Sequence, residues 1–251
     1  NIITFGGPFS NHIAATALAC NLNKIECIGI IRGEELKDQK KWSKTLIEAS
    51  KNKMRLLFAD RKVFAEKFNN GFVSGLMSDY PEGLIIPEGG SNSFAIKGLS
   101  EITQEFEQDF DYIICPIGTG ATLFGIASGL KQHQKIIGID VLRRTTMTLK
   151  SLYNDIVTNP LYEYYSGPVN LFSKDSIAQC RIISDYHFGG YARSDSALLN
   201  FCSNFKHSTS VEIEPVYSGK MFYGLLDLIT KNYFEPGSRI IALHTGGLQY
   251  L

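Results

Sequence analysis

DYIICPIGTGATLFGIASGL, residues 111–130, is followed after KQHQ by KIIGIDVL, residues 135–142, and the fold turns on this stretch. Ile113, Ile114, Cys115, Pro116 and Ile117 run without polar alternation, and so do Ile136, Ile137 and Ile139. Strands of that kind must be covered on both faces, which is the habit of parallel sheets. Ala121 to Leu130, between them, reads as a helix, so the stretch is a strand, a helix and a second strand. The first junction is Gly118-Thr119-Gly120-Ala121-Thr122. Its glycines let backbone amides curl inward, and its threonines place hydroxyls at the positive end of a helix, which together make an anion cup. Position 123 is Leu, against the dinucleotide G-x-G-x-x-G, and Gly125 is followed by Ile126-Ala127, against the P-loop. A single phosphate group remains, or an ordinary glycine-rich turn.

The rhythm extends in both directions. IITF, a helix from about Asn11, IECIGII, a helix across DQKKWSKTLIEAS, MRLLFA, the helical VFAEKF, GLIIPEGG and a helix through FAIKGLSEITQEFEQ precede the central stretch. Residues 143–178 interrupt the pattern with a Tyr-rich helical excursion, LYNDIVTNPLYEYYSG. It resumes with RIISDY and continues through SALLNFCSNF, SVEIEPVYSGK, GLLDLITKNYF and RIIALHTGGL. The expectation is an α/β protein with three-layer parallel sheets and helices on both faces.

At 251 residues with 44% hydrophobic content, the chain can fill a proper core. Lys plus Arg equal Asp plus Glu at 25 each, which leaves no basic surplus for a nucleic-acid footprint or an anionic membrane surface. No apolar run approaches the ~20 residues of a membrane span. Cys20, Cys27, Cys115, Cys180 and Cys202 form no C-x-x-C and lie mostly in apolar runs, as reduced core thiols of a cytoplasmic protein would, and no metal site is expected. The chain begins at Asn1 with an apolar strand from Ile2 and no methionine, so it is expected to start inside a fold.

That first strand runs into Gly6-Gly7-Pro8-Phe9 and then Ser10-Asn11-His12, where a helix cap belongs. A cap explains one polar residue, whereas the carboxyl edge of a parallel sheet is also where ligands bind. PEGGSNS (87–93), EPVYSGK (214–220), HTGG (244–247) and HFGGYAR (187–193) are expected at or just behind strand ends. Taken together, they imply one carboxyl-edge cleft.

With these residues in view, the chain resembles the pyridoxal-phosphate enzymes of the tryptophan-synthase β fold (fold type II), in the branch of D-cysteine desulfhydrase and 1-aminocyclopropane-1-carboxylate deaminase. TFGGPFSNHIAATA, IPEGGSNSFAIKG, GTGATLFGIASGL, HFGGYA, EPVYSGKMFYGL and LHTGG carry the resemblance, in the family's order. It implies that Gly118, Thr119, Gly120, Ala121 and Thr122 hold the phosphate of pyridoxal 5'-phosphate and that Asn11 lies against its 3-hydroxyl. Ser218 and Thr245 would fall near the ring nitrogen, where the deaminases resemble one another in having Glu and Leu. Ser10 and His12 would meet the carboxylate of a small amino-acid substrate. Tyr191 and Tyr217 would line its reacting end, with Ser10 and Tyr217 catalytic. The family's cofactor-binding lysine lies in an S-G-N-K-x-R-K type motif before the TFGG strand, and this sequence contains no such motif. An N-terminal segment carrying it is therefore expected to be absent, and Lys220 and Lys97 are poor substitutes. The resemblance further implies a homodimer whose small domain, residues 1–84, closes over a large one, residues 85–251. The activity implied is β-elimination from D-cysteine to pyruvate, ammonia and hydrogen sulfide. Aminocyclopropane-carboxylate deamination is the same-fold alternative, and non-catalytic binding of a phosphate ligand is the alternative of another class.

Overall fold

The structure is a computed structural model that describes residues 1–67, 69–144, 147–158 and 174–248. Two compact units divide the described chain, one of residues 1–92 with 157–158 and the other of residues 93–156 and 174–248.

In the first unit, β1 (Ile2–Gly6), β2 (Cys27–Arg32), β3 (Arg55–Ala59) and β4 (Leu84–Ile86) form a parallel sheet in the order β3-β2-β1-β4. Its helices are α1 (Asn11–Leu22), α2 (Lys44–Lys51), α3 (Arg61–Ala65) and α4 (Asn70–Asp79). β2 shows why its sequence lacks polar alternation. Cys27 and Ile31 pack with Ile13, Ala17, Leu46 and Ala49 from α1 and α2, while Ile28 and Ile30 pack with Phe64 and Val73 from α3 and α4. Successive side chains point to opposite faces, and helices cover both. The boundary expected at 84/85 falls inside β4, which pairs with β1, and residues 85–92 cluster with the first unit.

Two readings of this unit need correction. The helix expected across residues 38–50 begins only at Lys44. Trp42 donates its indole N–H to the Leu36 carbonyl at 2.8 Å, and Ser43 accepts from the Leu46 amide at 3.3 Å, so residues 42 and 43 stay extended as the helix entry. Helix α4, capped by Asn69, was not anticipated.

The second unit contains α5 (Ser93–Glu101), β5 (Tyr112–Ile117), α6 (Ala121–Gly129), β6 (Lys135–Asp140), α7 (Leu149–Val157), α8 (Lys174–Ala178), β7 (Cys180–Ile183), α9 (Ser196–Thr209), α10 (Ser218–Thr230) and β8 (Ile240–Ala242). Its sheet is parallel, in the order β7-β6-β5-β8. Ile114, Ile137 and Ile139 meet Met221, Leu225 and Leu228 of α10 on one face. On the other, Leu123 of α6 lies over Gly138. Of the excursion at residues 143–178, α7, Thr158 and α8 are described, and residues 145–146 and 159–173 lie outside the described residues. SVEIE, expected as a strand, is not one. Its backbone caps α10 instead, with the Gly219 amide on the Glu214 carbonyl at 2.7 Å and the Glu214 amide on Ser218 Oγ at 3.1 Å.

All five cysteines are free, and four of them are buried. Among the described residues, no helix is long and apolar enough to cross a membrane.

Candidate active site

The polar loops gather at two carboxyl edges, one in each unit. In the first unit, β1 ends at Gly6, where a Cβ would lie 2.5 Å from Ile13 and 2.9 Å from Ser10, so only glycine lets the strand meet the helix start so closely. Ser10 is the N-cap of α1, and its Oγ accepts from the Ile13 amide at 3.3 Å. Ser43 donates to the Pro8 carbonyl and ties the loop to the start of α2. Asn11 and His12 form the first turn of α1, both half-buried.

His12 Nε2 lies 2.6 Å from Thr4 Oγ1, whose own proton goes to the Ile86 carbonyl at 3.0 Å. The hydroxyl therefore accepts from His12, which fixes the proton on Nε2 and leaves Nδ1 as a lone pair. Burial pushes the His12 pKa down to about 4, so the ring is neutral. PEGGSNS closes over it, with Gly90 placed so that a Cβ would lie 3.4 Å from the ring. With its N–H already spent, His12 has no donor for a substrate carboxylate, the role implied by the resemblance. It ties the start of α1 to Thr4 of β1, whose hydroxyl in turn bonds Ile86 of β4.

In the second unit, β5 feeds the Gly118–Thr122 loop. Gly120 is the N-cap of α6 at φ 100, a conformation that favours glycine, and no side chain caps this helix. By contrast, α1, α2, α3, α4 and α9 each carry a Ser, Asp or Asn cap bonded to a first-turn amide. An uncapped, glycine-led helix start with Thr119 and Thr122 beside it has the donor set that a phosphate monoester needs. The loop fits the phosphate of pyridoxal phosphate on that ground. A Cβ on Gly118 would lie 3.7 Å from Tyr217 Cε1, which puts the Tyr217 ring beside the cup. Tyr191 stands edge-on to Tyr217, with ring centroids 6.2 Å apart at 67°.

Sequence reasoning missed the buried charges that hold these loops. Glu214 is fully buried, and its carboxylate accepts from the amides of Val216, Tyr217 and Ser218 at 2.5, 3.0 and 2.7 Å and from Ser218 Oγ at 3.1 Å. Burial raises its pKa, and the amides oppose that rise. Ser218, expected at a ring nitrogen, is fully buried and committed to Glu214. Lys220 is fully buried, donates to the carbonyls of Gly190 at 2.7 Å and Val141 at 3.3 Å, and has its pKa pushed down to about 8 by burial. It joins the loop carrying Tyr191 to the end of β6. Lys97 is exposed on α5. Thr245 is half-buried in the loop after β8, where His244 accepts the Gly246 amide on Nδ1 at 3.2 Å and donates from Nε2 to the Glu212 carbonyl at 2.9 Å. One signal for Glu214 was available: an acid four residues before a helix start. Among the described residues, no cluster of His, Cys, Asp and Glu could hold a metal ion.

A crystal structure described as an ACC deaminase homologue superposes with a TM-score of 0.74 at 25% identity, over 99% of this chain and 74% of that one. The mitochondrial bifunctional D-cysteine desulfhydrase/1-aminocyclopropane-1-carboxylate deaminase of Arabidopsis thaliana is 30% identical over 98% of this chain, which spans 63% of that protein's length. The 1-aminocyclopropane-1-carboxylate deaminase of Bradyrhizobium sp. (strain ORS 278) is 26% identical over 98% of this chain and 75% of its own length. The family described as pyridoxal-phosphate dependent enzyme matches residues 2–246, through both sheets and both sets of loops. A phosphate-fitting helix start, the parallel sheets around it and this match agree: the chain belongs to the pyridoxal-phosphate dependent enzymes.

Proposed function

We propose that the protein containing this chain is a lyase that eliminates the β-substituent of a small amino acid, D-cysteine in the first place, which with one water gives pyruvate, ammonia and hydrogen sulfide. Pyridoxal phosphate, when bound, supplies an electron-withdrawing ring that stabilises negative charge at the substrate's α-carbon. The Gly118–Thr122 loop holds its phosphate, Asn11 its 3-hydroxyl and Thr245 its ring nitrogen. Ser10 and the opening amides of α1 bind the substrate carboxylate, with neutral His12 bracing them from behind. Tyr217 exchanges a proton at the departing sulfur, and Tyr191 sets the angle of its ring.

The choice of reaction rests on how the acids are disposed in β6, the loops after β5, β6 and β8, and the segment entering α10. Among the described residues there, Asp140 and Glu214 are fully buried with their oxygens on backbone amides, and Glu212 pairs with Lys206. No carboxylate is offered to a ring nitrogen by these segments, and Thr245 offers a neutral hydroxyl. A carboxylate there would favour a protonated ring and stronger charge storage. A hydroxyl suits a substrate whose β-group leaves readily, as thiolate does, better than a cyclopropane with no leaving group. Parallel assays separate the two reactions, since D-cysteine gives pyruvate and the cyclopropane gives 2-oxobutanoate. Pyruvate formation is expected with the higher kcat/KM, and a higher value for 2-oxobutanoate refutes the assignment.

A further inference from the structure

Gly118 opens the cup, and its carbonyl oxygen accepts from Arg144 Nη2 at 2.5 Å. A trans peptide points its C=O and its N–H in opposite directions, and no peptide among the described residues is cis. The Thr119 amide therefore points away from Arg144, and the guanidinium decides which way the first amide of the cup faces. Arg144 is itself aimed. Asp140 ends β6 fully buried and accepts from the amides of Leu142 at 2.9 Å and Arg144 at 3.1 Å, closing a turn in which Arg143 takes φ 58. Met147 Sδ takes a second guanidinium N–H at 3.4 Å. Lys220 holds the Val141 carbonyl of the same turn, so the turn cannot drift from the sheet edge without breaking that bond.

We propose that Arg144 is a positioning residue for the cofactor phosphate: by gripping the Gly118 carbonyl it keeps the Gly118–Thr119 peptide turned so that its N–H serves the phosphate. The proposal rests on the Gly118–Thr122 loop being the phosphate cup. Without that grip the peptide after Gly118 loses the bond that sets its direction, and a carbonyl oxygen turned toward an anion repels it.

The test compares pyridoxal phosphate with pyridoxal, which has the same ring and no phosphate, binding to the wild-type protein, Arg144→Met and Arg144→Lys. Affinities come from the ligand's absorbance and fluorescence, with thermal unfolding as the check on folding. Arg144→Met should weaken pyridoxal phosphate about tenfold and pyridoxal less than twofold. Arg144→Lys keeps a charged donor and should fall between wild type and Arg144→Met. If Arg144→Met does not fold, Arg144→Lys alone still decides, through a reduced preference for the phosphorylated ligand. Equal losses for the two ligands, or an unchanged preference in both variants, overturn the role of Arg144. A wild-type protein that binds pyridoxal as tightly as its phosphate overturns the cup itself, which is a different failure.

Discussion

Acidification should destabilise the first unit through one residue, His12. Its imidazole is neutral, with the Nε2 proton given to Thr4 and Nδ1 beside Gly90, and the nearest oxygen partner of Nδ1 is Thr16 Oγ1 at 3.5 Å. A second proton on Nδ1 would be buried without a good acceptor. Burial lowers the pKa from 6.5 to about 4 in the folded chain. Between those values the unfolded chain binds the extra proton and the folded chain does not. The stabilisation is therefore complete above pH 6.5 and is lost as the pH falls through 4. A shift of that size corresponds to about 3 kcal/mol at full loss. His12→Gln keeps an N–H donor for Thr4 and cannot titrate. Urea unfolding of both proteins at pH 7, 5.5 and 4.5 should show the wild type losing about 1–3 kcal/mol more than His12→Gln by pH 4.5. Carboxylates that also titrate in this range are common to both proteins and cancel in the comparison. Parallel loss in the two proteins, or a His12 ring resonance that titrates near 6.5, refutes the tautomer and the burial argument together.

Gly118→Ala should leave the thermal midpoint within about 2 °C of wild type, because its Cβ would meet only Tyr217 at 3.7 Å, while pyridoxal phosphate binding weakens by about tenfold. Gly120→Val is the wrong probe of the cup: at φ 100, with Leu152 2.7 Å from the new Cβ, it should cost about 2–4 kcal/mol in urea unfolding, with or without cofactor. Borohydride treatment with pyridoxal phosphate should leave Lys220 unlabelled in a peptide map, because its amine is fully buried and donates to two carbonyls. The folded Lys220 releases its proton near pH 8 and the unfolded one near 10.5, so between those values stability should rise with pH in the wild type relative to Lys220→Met.

The strands were legible because a two-sided burial requirement writes itself into consecutive residues. Ile28, Ile30 and Ile31 had to be apolar for cores on opposite faces. Ser10 was legible as a cap because a cap is local. The role of His12 was not, since it depends on Thr4 and on the carbonyl of Ile86, which parallel pairing alone brings together. SVEIE failed for a related reason. Its residues have the propensity of a strand, but the Glu214 carboxylate and backbone close the start of α10, and that use leaves no edge for a ladder. Arg144 carried no local signal at all, because its partner, Gly118, is 26 residues away.

Glu214 and Ser218 show why a substrate preference cannot be read from one position alone. Four residues apart in sequence, they are bonded to each other, and Gly247 makes room for the pair, since a Cβ there would sit 2.4 Å from Glu214 Cγ. A carboxylate placed at position 218 would stand against the buried Glu214 carboxylate, and two anions in a dry site repel strongly. Serine at 218 is therefore coupled to glutamate at 214: the chain spends its acid on capping α10 and fixing Tyr217. On the proposed function, the electronic character of the site follows from that choice. With the acid turned inward, Thr245 meets the ring nitrogen as a neutral hydroxyl, and the reaction that needs least charge storage is favoured.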